Sequence, residues 1–159
     1  MKADDKGKPV EILLVEDNPG DVRLAIEALR TSRVENRINV AEDGEVAMSY
    51  LKRQGVYADA VRPDMILLDL NMPRLDGREV LSRIKNDPVL RQIPVVVLTV
   101  SQDEEDIARC YRDHANCYIS KPIDFNQFIR VIKSIEHFWF AIVQLPPEER
   151  AFARPSLGA

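Results

Sequence analysis

Short apolar runs alternate with amphipathic stretches along this chain, and the alternation predicts a repeating βα unit. Ile12 to Val15 reads as the first strand. Asn18-Pro19 then gives a helix start, with Asn as cap and Pro at the first helical position. Val22, Ala25, Ile26 and Leu29 recur at i, i+3, i+4 and i+7, one face of a helix. Ile38 to Ala41 is a second, weaker strand, and Asp43-Gly44 opens a helix carrying Ala47, Tyr50 and Leu51 on one side. Gln54 to Pro63 reads as loop and Met65 to Leu68 as the third strand. Val80, Leu81 and Ile84 mark the next helix, which Asp87-Pro88 ends because a residue before proline is pushed out of the helical region. Pro94 to Leu98 is β-branched and unbroken, the pattern of a strand buried on both faces. Asp103 to Asp106 places acids on a helix's first turn, at the positive end of its macrodipole, and reads as a solvated helix start. Cys117 to Ser120 is the fifth strand. A long last helix is expected from Asp124 to about Leu145, with Phe125, Phe128, Ile129, Ile132, Ile135 and Trp139 as its core stripe.

Five strands alternating with five helices predict an α/β fold of parallel βαβ units with right-handed crossovers. The length of 159 residues suits one domain, expected over residues 10–145. Residues 1–9 read as a flexible N-terminus and 146–159 as a short tail with no output domain. No GxGxxG follows the first strand and no GxxxxGK[ST] occurs, which removes the two commonest nucleotide readings of such a fold. With 22 basic and 26 acidic residues the formal charge is −4, which argues against nucleic-acid binding by bulk electrostatics. No apolar run approaches the ~20 residues of a membrane span, and Met1 to Pro9 lacks the apolar core of a signal peptide. A cytoplasmic protein is the expectation. Cys110 and Cys117 match no zinc or redox spacing and read as reduced thiols.

The candidate chemistry lies where the strands end. The first strand runs into Glu16-Asp17, the third into Asp69, the fourth into Thr99 and the fifth into Lys121-Pro122. Parallel strands bring those ends side by side, at the edge where open α/β sheets bind ligands. Three carboxylates, a hydroxyl and an ammonium together can hold a divalent cation and a phosphoryl group. Taken singly, each has an ordinary alternative: Asp17 a turn residue, Glu16 a surface acid, Asp69 a cap, Thr99 a strand residue, Lys121 a solvated cation.

Together these segments resemble the receiver domain of two-component response regulators. The motifs are Leu14-Val15-Glu16-Asp17, Asp69-Leu70-Asn71-Met72-Pro73 with Asp76-Gly77, Leu98-Thr99, and Tyr118-Ile119-Ser120-Lys121-Pro122. They cover residues from about 10 to 140 in the family's order and spacing. The resemblance implies a flavodoxin-like doubly wound sheet of strand order 2-1-3-4-5. It implies Asp69 as phospho-acceptor, and Glu16 and Asp17 as the acidic pair holding Mg²⁺ (or Mn²⁺), with the backbone carbonyl of Asn71 as a further ligand. It also implies Thr99 and Tyr118 as the switch pair and Lys121 as the lysine that meets the phosphoryl group. Val100 departs from the small residue usual after the switch hydroxyl and is expected to restrict access.

Further details resemble one subfamily, the small regulators of phytochrome-type light-sensing histidine kinases. They are Glu16-Asp17-Asn18-Pro19-Gly20-Asp21, the long Gln54 to Arg62 loop, Ala115-Asn116-Cys117-Tyr118 and Phe138-Trp139. Such a kinase is the implied partner, docking on the first helix near Val22 and Ile26. On the last helix, Val131, Phe138 and Ala141 form a second apolar strip, which together with Trp139 points to a homodimer interface on the face of the last two helices. Two other readings compete. An aspartyl-phosphate phosphohydrolase would carry DxDxT, whereas Asp69 is followed by Leu70-Asn71-Met72-Pro73. A phosphorylation-independent dimeric interaction module would dispense with Asp17, Asp69 or Lys121, and all three are present.

Overall fold

The computed structural model describes residues 9–72, 74–99, 104–115, 117–120, 125–127, 129–131 and 133–134. Five strands, β1 (Val10–Val15), β2 (Asn36–Ala41), β3 (Met65–Leu68), β4 (Val95–Thr99) and β5 (Cys117–Ser120), form one sheet in the order β2-β1-β3-β4-β5. Every neighbouring pair is parallel. The helices α1 (Pro19–Arg30), α2 (Gly44–Leu51), α3 (Gly77–Lys85) and α4 (Glu104–Arg112) alternate with the strands, and further helical residues lie at 125–127, 129–131 and 133–134. None of the described helices is long and apolar enough to cross a membrane.

The sheet is apolar on both sides because helices cover both. Leu13, Val15, Ile66, Leu68, Val95 and Val97 point to one face, where they meet Ala47, Met48 and Leu51 of α2 and Val80, Leu81 and Ile84 of α3. Their chain neighbours Ile12, Leu14, Met65, Leu67, Val96 and Leu98 point to the other, against Ala25, Ala28 and Leu29 of α1. The period of two thus divides each strand between two core clusters. Each large aliphatic side chain so buried contributes about 1.5–3 kcal/mol.

Three helices start on side-chain caps. Asn18 accepts the Asp21 N–H at 3.0 Å, Asp43 the Val46 N–H at 2.9 Å and Asp76 the Arg78 N–H at 2.8 Å. At the far edge the backbone N–H of Tyr118 donates to the Tyr111 hydroxyl of α4, at 3.2 Å.

Several expectations shift. β2 begins at Asn36, two residues before the apolar pair that signals it, and the long loop contains a 3₁₀ turn over Gly55–Tyr57. Phe125, expected in the core, is 41% exposed. Periodicity assigns a residue to a helix face without saying how far the neighbouring surface extends beneath it. Val131, expected on an outward strip, is half-buried against the α1-side cluster, as is Ile129. Asp106 is not solvated: its side chain is 17% exposed and pairs with Arg78 of α3. Phe128, Ile132, Ile135, Phe138, Trp139 and Ala141 lie outside the described residues.

Candidate functional site

Two backbone bonds build the floor of the site. The Asp69 N–H donates to the Val15 carbonyl and the Glu16 N–H to the Ala41 carbonyl, each at 3.0 Å. The ladder from β3 across β1 to β2 therefore continues one residue beyond the strands. It sets Glu16 and Asp69 side by side, only 4% and 5% exposed, with exposed Asp17 next in the chain. Carboxylate oxygens of Glu16, Asp17 and Asp69 all lie within 4.8 Å of one another. Glu16 Oε2 also accepts the Asn18 N–H, at 3.2 Å, which ties the acidic pair to the start of α1.

Two buried carboxylates this close repel by roughly 3 kcal/mol at an effective dielectric of ~20. A cation between them offsets that cost. The donor set is all oxygen, without His or Cys, and suits a hard divalent ion.

The loop after Asp69 is held by its neighbours. Leu70 is fully buried and its carbonyl accepts the Gly77 N–H at 2.9 Å. Gly77 packs so closely that a Cβ there would sit 2.1 Å from the Asp69 carbonyl oxygen. Arg74 takes up the left-handed conformation, φ 67°, and its guanidinium lies 3.6 Å from Asp43. Exposed Asn71 turns its carboxamide oxygen toward Arg78 Nη1, 3.5 Å away.

Thr99 closes β4 in register with Ser120 of β5, two residues beyond the Leu68 to Val97 pairing. Its backbone therefore stands at the same sheet edge as Asp69. Tyr118 lies in β5, half-buried against the larger core cluster. Lys121, Pro73 and Val100 lie outside the described residues. An open groove of about 690 Å³ leads from Glu16 and Asp17 along α1 to β2, with Val22, Ile26 and Val40 on its walls. Ile26, on the same helix face as buried Ala25 and Leu29, lines this groove together with Val22.

Arg78 is the site neighbour that the residue pattern does not flag. Its Nε donates to Asp106 Oδ1 at 2.7 Å, Nη2 pairs with Asp106 Oδ2, and Nη1 lies 3.1 Å from both Asp76 oxygens. The hydrogen bond to Asp106, set against partial burial, holds its pKa above the ordinary arginine value. Asp-Gly-Arg and an acidic helix start are both visible in the sequence, but nothing local says that the two helices meet.

A doubly wound parallel sheet that gathers a buried aspartate and an acidic pair at its strand ends defines an α/β domain whose candidate site lies at the topological switch edge. Residues 12–133 match the response regulator receiver domain, and the chain belongs to that family. It is similar to the response regulator Rcp1 of Synechocystis sp., 45% identical over 144 residues, covering 91% of this chain and 98% of Rcp1. Among solved structures it is similar to the phosphorylated cyanobacterial phytochrome response regulator RcpA, 50% identical with a TM-score of 0.81, covering 87% of this chain and 99% of RcpA. The Mn²⁺-bound form of Rcp1 is 46% identical with a TM-score of 0.79, covering 87% of this chain and 99% of that one.

Proposed function

We propose that this protein is a response regulator that accepts a phosphoryl group from a histidine kinase onto Asp69, with Mg²⁺ as cofactor. The reading rests above all on buried Asp69 with Glu16 and Asp17 within 4.8 Å at the strand ends. A carboxylate oxygen of Asp69 attacks phosphorus, the P–N bond of the kinase's phosphohistidine breaks, and the departing imidazole takes the electron pair and later a proton from water. A bound Mg²⁺ would supply charge neutralisation for the phosphoryl oxygens. Asp17 and Asp69 would hold the ion together with the Asn71 carbonyl, and Glu16 would act through a water. Lys121 meets one phosphoryl oxygen and Thr99 donates a hydrogen bond to another. Hydrolysis of the acyl phosphate by water resets the chain, so its catalysis is confined to its own phosphorylation and dephosphorylation.

The output is a population shift: the phosphoryl group draws Thr99 inward, Tyr118 follows, and the face of α4, β5 and the last helix rearranges. A phytochrome-type kinase in the cytoplasm is the partner we infer, since RcpA, 50% identical, is a cyanobacterial phytochrome response regulator. The groove beside Val22 and Ile26 opens onto the acidic cluster and suits its approach. A homodimer through the last helices, with Phe138, Trp139 and the part of Val131 that the α1-side cluster leaves uncovered, completes the proposal. Sedimentation with and without a phosphate analogue tests it, and a strict monomer in both states at high concentration would count against it.

The deciding experiment is phosphoryl incorporation with Mg²⁺, from a small-molecule donor and from a phytochrome-type kinase, in wild type and Asp69→Asn. One alkali-labile phosphate per chain that needs Asp69 and Mg²⁺ supports the reading. Turnover of a phosphorylated substrate that survives Asp69→Asn, or no labelling from either donor, overturns it.

A further inference from the structure

We infer that Arg78 is a positioning residue for cation binding at the acidic cluster, acting by fastening the loop after Asp69 to α4. The inference takes the proposed cation site as its starting point.

The guanidinium, 19% exposed, stands between acceptors from three segments. Asp106 of α4 takes Nε and Nη2 as a fork, Asp76 at the α3 cap faces Nη1 with both oxygens, and the Asn71 carboxamide lies on the same Nη1. A planar fork engaged on both edges cannot rotate without breaking several contacts at once. The restraint reaches Asp69 through a short path. Arg78 follows Gly77, which is bonded to Leu70 and packed on the Asp69 carbonyl. Asn71, whose carbonyl is the proposed ligand, sits at the other end of the same loop. Asp106, by contrast, belongs to a different helix and has no place in the acidic cluster.

Without a cation the carboxylates repel, and the segment from Asp69 to Asp76 gains by relaxing away from Glu16 and Asp17. Tying that segment to α4 opposes the relaxation, so the ligands are held near their bound positions before the ion arrives. Preorganisation of this kind appears as affinity. Lysine keeps the charge of Arg78 but cannot form the fork.

The experiment is a Mg²⁺ titration by calorimetry on the full chain, comparing wild type, Arg78→Lys, Asp106→Asn and the double variant, with Asp69 labelling rates measured in parallel. The Mg²⁺ dissociation constant is expected to rise about fivefold in each single variant, a typical coupling between linked sites. The double variant is expected to be no weaker than the weaker single, because one contact is lost in all three. Labelling slows at low Mg²⁺ and recovers at saturating Mg²⁺. Unchanged affinity in both single variants overturns the inference, as does a slowed rate that saturating Mg²⁺ does not restore. If wild type shows no Asp69-dependent labelling the functional reading falls, and the titration still decides the role of Arg78.

Discussion

Gly77→Ala is the substitution that most directly tests how the site is built. A Cβ at Gly77 would lie 2.1 Å from the Asp69 carbonyl oxygen, 2.6 Å from Leu70 Cα and 3.0 Å from the Asp69 carbonyl carbon. Ordinary contact begins near 3.4 Å, so the backbones must part by roughly 1.3 Å, the difference between 3.4 and 2.1. All three atoms are main chain, and they belong to the buried segment that follows β3, where no rotamer change can make room. Overpacking of this kind costs up to about 3 kcal/mol, against which alanine recovers about 0.5–1 kcal/mol over glycine in helical backbone. The net loss is about 2 kcal/mol, or about 4–8 °C in Tm for a domain of this size. Because the strain falls on the Asp69 carbonyl, Mg²⁺ affinity should drop as well. Thermal and urea denaturation give the first quantity and calorimetry the second. Gly20→Ala is the control: its Cβ would meet only the Asn18 side-chain oxygen, at 3.2 Å, and its stability should stay within about 0.5 kcal/mol of wild type. A Gly77→Ala protein with wild-type Tm and wild-type Mg²⁺ binding would refute the packing argument.

Further predictions concern charge and access. In chelator, Asp69→Asn should be more stable than wild type by about 1–2 kcal/mol, because one of two crowded buried carboxylates is gone; Mg²⁺ should then stabilise wild type more than the variant, and a less stable variant in chelator would contradict this. Burial, with Asp106 nearby, pushes the Cys110 thiol up to about 11 from 9.0. Its contribution to stability is therefore present below pH 9.0 and lost as pH rises through about 11. In a Cys117→Ser background, alkylation of native Cys110 at pH 8 should run roughly 100-fold or more below the unfolded chain, and equal rates would contradict its burial. Val100→Ala should speed labelling from a small donor, and unchanged rates of labelling and phosphate loss would remove the idea that Val100 narrows access.

Strands buried on both faces leave a strong mark in sequence, since Met65 to Leu68 and Val95 to Leu98 have no polar position to spare. Their boundaries were therefore legible to within one residue, whereas β2, an edge strand with polar Asn36, Arg37 and Asn39, was legible only in its apolar half. The helix starts at Asn18 and Asp43 were legible because a cap is a local device. The acidic cluster could be assembled on paper because parallel topology turns strand ends into neighbours. Contacts between elements were not legible in this way. Asp106 carries the same charge whether it faces water or Arg78, and Ile26 fits a helix's apolar face whether that face meets core or groove.

The Tyr111 hydroxyl has a consequence for how copies of this chain can meet. β5 is the last strand of the sheet, and an outermost strand is a template on which a foreign strand can pair. It is only four residues long, and the donor at its second position is already engaged by a tyrosine of α4. The row of donors that a foreign strand would need is interrupted there. Runaway polymerisation through that margin is thereby discouraged.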